Sequence, residues 1–288
     1  MGAPRSATVY RIWEARYACP MTTRISVRDI GFDLDAARVC DWNAGFARTV
    51  LWNALSIMFP HGERFFIQSV AAFRESIDDP VLAEAIRGFV AQEALHTREH
   101  LAYNAALQRC VDAAQLDADV AAYLDVVRER HGPLERLAVT CALEHFTAIM
   151  ARAVLSDPAY FAGAEPSFGR LWHWHALEEC EHKSVAFDVF ERVTRGKGYG
   201  LRVRIMLLAT EMFVRFSAKH IVKIMQSQGA ARSPRAWLAV LGYICVRPGL
   251  ARRIVMPYLR YYAPGFHPDH IDDRRVLEVA RSRIEAVA

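Results

Sequence analysis

Apolar residues recur at spacings of three and four along most of the 288-residue chain, the period of a helix that buries one face. Alternating apolar and polar runs between hairpin turns, which mark strands, are almost absent. The pattern predicts helices over 34–58 and 63–77, separated by Pro60–Gly62. Others are predicted over 80–111, 118–130, 133–155 and 167–193. Asp79-Pro80 reads as a cap followed by a first-turn proline, Pro133 opens a helix after Gly132, and Ser167 is placed to cap the next. Gly196 and Gly198 close that helix. Further helices follow over 201–225, 237–246 and 250–262. Those near 61–77, 80–111, 133–155 and 167–193 have bundle-helix length. The expected fold is therefore all-α, a four-helix bundle core with extra N- and C-terminal helices. Residues 1–30 form an N-terminal arm, 31–195 the bundle, and 196–288 a basic, aromatic extension packed on it.

Acids and histidines interrupt this apolar pattern at regular places. Gln92-Glu93-Ala94-Leu95-His96 and Glu179-Cys180-Glu181-His182 each set a glutamate and a histidine three residues apart, on one helix face. Glu63 and Glu144 are lone acids within other apolar helical stretches. Alone, Glu63 also reads as an acid meeting the macrodipole of a helix that starts after Gly62. The order Glu, Glu-x-x-His, Glu, Glu-x-x-His, with one element per long helix, is the ligand set of a di-metal carboxylate bundle. An uncompensated buried carboxylate costs several kcal/mol. Four in one core therefore call for cations.

His175 adds a seventh candidate. At ~100° per residue, His175, Glu179 and His182 share a stripe roughly 60° wide. Glu179 is the expected ligand, and Glu178, at the edge of the stripe, is its competitor. Glu63, Glu93 and His96 are expected to hold one metal; Glu144, His175, Glu179 and His182 would hold the other, with some carboxylates bridging. His100, Glu178 and Lys183 are candidates to support those ligands from behind. Oxygen and imidazole ligands suit two iron ions best, with manganese or a mixed pair as alternatives.

The segments Phe59-Pro60-His61-Gly62-Glu63-Arg64-Phe65-Phe66, Gln92–His96 and Trp174–Lys183 resemble signature segments of the predicted metal-dependent hydrolases, which are ferritin-like helical proteins. The resemblance covers about residues 25–265. The His-x-x-x-Glu-x-x-His arrangement of 175–182 is also similar to the di-iron arylamine N-oxygenases, which use one histidine more than the usual set. That second resemblance implies that His175 is the added ligand. The function expected first is a di-iron enzyme that activates dioxygen and oxidises a small, mostly apolar organic substrate. The alternative is a metal-dependent hydrolase that activates a water. A non-catalytic iron-binding bundle is the third reading.

Composition adjusts this picture in three places. A hydrophobic content of 53% excludes a disordered chain. The cysteines Cys19, Cys40, Cys110, Cys141, Cys180 and Cys245 form no CxxC pair, which argues against a zinc ribbon or redox motif. They are expected as free thiols in a cytoplasmic protein. Finally, 195–262 holds 13 Lys or Arg and one acid, Glu211, among tyrosines and large apolar residues. That stretch is a candidate for contact with a membrane surface, placing the protein at the membrane periphery. A second copy of the chain is a further candidate partner. Nucleic acid is not expected, since the cations mix with large apolar residues and no reader motif occurs.

Overall fold

The computed structural model describes residues 25–285, so most of the expected N-terminal arm, with Cys19, lies outside the described residues. The fold is all-α, and the only strand-like pairing among the described residues is an isolated bridge between Asn43 and Ala164. The helices are α1 (Phe46–Ala71), α2 (Pro80–Leu107), α3 (Ala113–Arg130), α4 (Pro133–Leu155) and α5 (Pro166–His182). They continue as α6 (Val185–Thr194), α7 (Tyr199–Ser227), α8 (Pro234–Leu241), α9 (Leu250–Arg260) and α10 (Arg274–Glu285). A π turn, Gly242–Val246, extends α8. The long helices α1, α2, α4 and α5 each touch two of the others, and α4 also supports α6, α7 and α9. Helix α4 is long and apolar enough to cross a membrane, but 89% of its apolar window is buried inside the protein.

Several local expectations are corrected. Helix α1 runs unbroken through Pro60. A mid-helix proline forfeits the bond to the carbonyl four residues back. Here that carbonyl, on Ser56, accepts instead from Asn104 Nδ2 of α2 at 3.0 Å. Glu63 consequently sits mid-helix, so the macrodipole does not account for it. Residues 34–45 form turns and irregular structure rather than a helix, and Ala44 (φ 53°) and Gly45 (φ 122°) adopt positive φ just before α1. Glu165, not Ser167, caps α5 by accepting the amides of Ser167 and Phe168. The expected 167–193 helix divides into α5 and α6 at Lys183–Ser184. No glycine or proline marks that break.

The cysteine expectation fails at one pair. Cys40 and Cys110 form a disulfide across 70 residues of sequence, tying the segment before α1 to the end of α2. Cys141 and Cys180 are buried free thiols, and Cys245 is exposed. A pairing over such a distance leaves no spacing signal, so it was not legible in the order of residues.

Candidate metal centre

The four helices bring Glu63 (α1), Glu93 and His96 (α2), Glu144 (α4), and His175, Glu179 and His182 (α5) into one dry core. Each of the seven is at most 3% exposed. Two clusters share this space. On one side Glu93, Glu144 and His182 converge; on the other Glu63, Glu93, His96, His175 and Glu179 do, in overlapping groups. His182 Nε2 lies 3.0 Å from Glu93 Oε1, 3.5 Å from Glu144 Oε2 and 3.7 Å from Glu179 Oε2. His96 Nδ1 lies 3.6 Å from Glu179 Oε1 and 3.9 Å from Glu93 Oε1. Glu93 and Glu179 therefore face both clusters.

His175 is not where the sequence partition puts it. It joins His96 rather than His182: the two rings stack with centroids 4.2 Å apart, and His175 Nε2 stands 3.0 Å from Glu179 Oε1. One turn of helix separates His175 from Glu179, and a second separates Glu179 from His182. The glutamate thus has a histidine on either side.

Hydrogen-bond direction fixes the roles of the ring nitrogens that point away from the carboxylates. Asn104 Nδ2 donates to the Ser56 carbonyl, so its Oδ1 must accept the Ser56 hydroxyl proton at 2.8 Å. The Ser56 oxygen can then only accept from His100 Nδ1, at 2.9 Å. Burial, reinforced by His175, holds the His100 pKa well below the usual imidazole range, so the ring is neutral and its Nε2 accepts. His175 Nδ1 therefore donates to it at 2.8 Å, which leaves Nε2 of His175 to face Glu179. The same logic applies to His182. Gln92 Nε2 donates to the Ser26 carbonyl at 3.0 Å, so Gln92 Oε1 accepts from His182 Nδ1 at 2.9 Å. Nε2 of His182 is left facing three carboxylates.

Imidazole nitrogens and carboxylates packed this closely need a proton or a cation between them. Both oxygens of Glu93 and of Glu144, Glu63 Oε1, Glu179 Oε2 and His182 Nε2 are buried with no hydrogen-bond partner. The residues fit a metal site on that ground: so many orphaned buried acceptors in one place require positive charge. The electrostatics agree. Burial, with Glu93 beside them, pushes Glu63 and Glu144 well above the usual carboxylate range. Burial opposes charge on His182, yet Glu179, Glu93 and Glu144 hold it well above the imidazole range.

The supporting candidates separate. His100 stands behind His175, and Glu178 Oε2 lies 3.2 Å from His96 Nε2. Burial raises the Glu178 pKa to about 7 against the opposing pull of Arg28. Lys183 leads away from the centre. One residue past His182, it turns to donate to the Ile271 carbonyl and the Asp273 carboxylate, anchoring the C-terminal segment. The helical-face reasoning missed Ser56, Asn104, Gln92 and Arg28. Gln92 adjoins Glu93 and so lies off its face, but its position on α2 meets α5. Arg28 pairs with both oxygens of Glu181 and with Glu178 from a segment without regular structure, which periodicity cannot register.

Small apolar gaps reach the centre. One, of about 50 Å³, has Glu63 in a wall of Met58, Phe59, Phe66 and Phe213. Another, of about 30 Å³, touches His175 and Glu179 beside Trp52, Phe59 and Trp172. Thr147 borders both. Phe187 lines neither gap and packs on Tyr261 and Phe266. A larger cavity, about 390 Å³, lies behind Trp174, whose ring meets His96 edge-on at 4.8 Å.

A family model described as predicted metal-dependent hydrolase matches residues 26–272. The chain belongs to that family. No curated protein and no solved structure matches it. As a member of the predicted metal-dependent hydrolases, the chain is read as a metal-dependent enzyme, and the match spans all seven candidate ligands. This corrects the functional expectation: oxygen activation, placed first from the ligand pattern, gives way to the hydrolytic alternative. The error has a physical source. A cluster of carboxylates and imidazoles specifies where cations sit, while the reaction depends on what else reaches them.

Proposed function

We propose that the protein is a hydrolase that uses two divalent cations, iron or manganese, against an apolar ester or a similar acyl compound. The observation that carries this is the set of orphaned acceptors shared by α1, α2, α4 and α5, in a chain of the hydrolase family. Once metal displaces the proton on His182, the four carboxylates carry four negative charges, which two divalent cations balance. Glu63, His96 and His175 would hold one ion and Glu144 and His182 the other, with Glu93 and Glu179 shared. When bound, such ions would lower the pKa of a water and polarise the acyl group it attacks.

The chain's own residues supply orientation and dryness. The Asn104–Ser56–His100 relay presents Nε2 of His175 to the centre, and Gln92 does the same for His182. Phe59, Met58 and Phe66 keep bulk water from Glu63 and offer an apolar substrate a matching wall. Thr147 spends its hydroxyl proton on the Glu144 carbonyl, so its oxygen faces the gaps as an acceptor.

The test is hydrolysis of nitrophenyl esters of increasing acyl length by protein loaded with manganese or ferrous iron under argon. The expected result is metal-dependent release of nitrophenol that Glu144→Ala abolishes. No hydrolysis from fully loaded, folded protein would reject the proposal.

A further inference from the structure

We propose that the outer face of α7, α8 and α9 docks the protein on an anionic lipid bilayer. Fifteen large hydrophobic side chains are exposed among the described residues, and ten of them fall between Tyr199 and Leu259. Leu238 is 72% exposed, Val246 66% and Met256 63%. Scattered apolar exposure is ordinary for a soluble protein, but its concentration on consecutive helices is not.

The cations are concentrated in the same place. Arg204, Arg215, Lys219 and Arg253 pair with Glu135, Glu211, Asp119 and Asp157. Lys223, Arg232, Arg235, Arg247, Arg252 and Arg260 are exposed and pair with no carboxylate among the described residues. Helix α9 shows how the two features combine. Val255, Met256 and Leu259 share its outward face with Arg252, and Arg260 flanks them.

The helices lie on the protein in a way that presents this face. Phe146 of α4 stacks on Phe213 of α7 at 4.9 Å and meets Tyr258 of α9 at 5.4 Å. Thr210 and Tyr258 hydroxyls join α7 to α9 at 2.9 Å. The π turn after α8 is pinned where Trp52 Nε1 donates to the Tyr243 hydroxyl at 2.9 Å, and this turn also packs on α9.

A bilayer fits this face better than a protein does. Six cations without a carboxylate partner among the described residues, interleaved with aliphatic side chains, call for a surface that is anionic and apolar at once. Lipid headgroups accept the cations while the aliphatic groups enter the acyl boundary. Inner residues of the same α7, among them Phe213 and Phe216, wall the gap at Glu63, so docking brings that gap close to lipid. The docking itself does not depend on the hydrolytic proposal.

The test is co-sedimentation of the full chain with phosphatidylcholine vesicles, with and without phosphatidylserine. Binding is expected only with phosphatidylserine and should weaken as salt rises. A double Arg252→Glu, Arg260→Glu variant should bind at least about tenfold more weakly. Met256→Ser with Leu259→Ser should reduce binding at low salt with melting and metal content unchanged. Equal binding to both vesicle types, or none, overturns the proposal. So does a dimer that the Met256 and Leu259 substitutions dissociate without any vesicle binding, which would make this face a contact between copies.

Discussion

Nδ1 of His100 lies 2.9 Å from Oγ of Ser56, and the direction of that bond makes His175 Nδ1 the donor to His100 while Nε2 faces Glu179. The hydroxyl proton belongs to Asn104, so the histidine must donate. Ser56→Ala removes the acceptor and frees His100 to adopt either tautomer. Metal affinity should fall about 10–100-fold, while the helical circular dichroism is retained. Chelator competition measures the change; an unaltered affinity would show that the relay does not orient His175.

Glu144 has two buried oxygens without partners and is pushed well above the usual carboxylate range by burial and by Glu93. Glu144→Gln therefore has opposite effects in the two states of the protein. In chelated protein it removes a source of repulsion, and the melting temperature should hold or rise. In metal-loaded protein it weakens a ligand, and the melting temperature should fall. Calorimetry with and without chelator separates the cases, and an equal drop in both would count against a metal at Glu144.

His220 of α7 is fully buried, with Nδ1 3.1 Å from the Ala54 carbonyl of α1 and Nε2 without a partner. Burial depresses its pKa, so the folded protein keeps the ring neutral where the unfolded chain takes up a proton. The unfolded state then binds more protons below the ordinary imidazole value, and stability must fall as pH drops through about 6.5. The slope this one group adds is at most about 1.4 kcal/mol per pH unit. Urea midpoints across that range should decline more steeply for the native chain than for His220→Gln.

The Cys40–Cys110 disulfide closes a 70-residue separation. On the chain-entropy account, Cys40→Ala with Cys110→Ala should destabilise the protein by about 4 kcal/mol. Denaturant titration of this variant beside native protein, with and without reductant, measures it. Reductant should shift only the native protein.

The sequence by itself determined the helical class and the acid–histidine pairs that share a helix face. Both follow from periodicity: apolar residues every three or four positions specify buried helix faces, and Glu93 with His96, or Glu179 with His182, must share a face whatever surrounds them. Tertiary structure decided everything that depends on neighbours from elsewhere in the chain. Pro60 reads as a helix break until Asn104 supplies a donor for the carbonyl it frees. His175 reads as a partner of His182 until α2 arrives and stacks His96 on it. Lys183 reads as a supporter of the centre until Asp273 draws it away. Helical periodicity is a property of one segment, whereas a released carbonyl, a lone pair or a buried charge is satisfied by whichever group packing brings within about 3 Å.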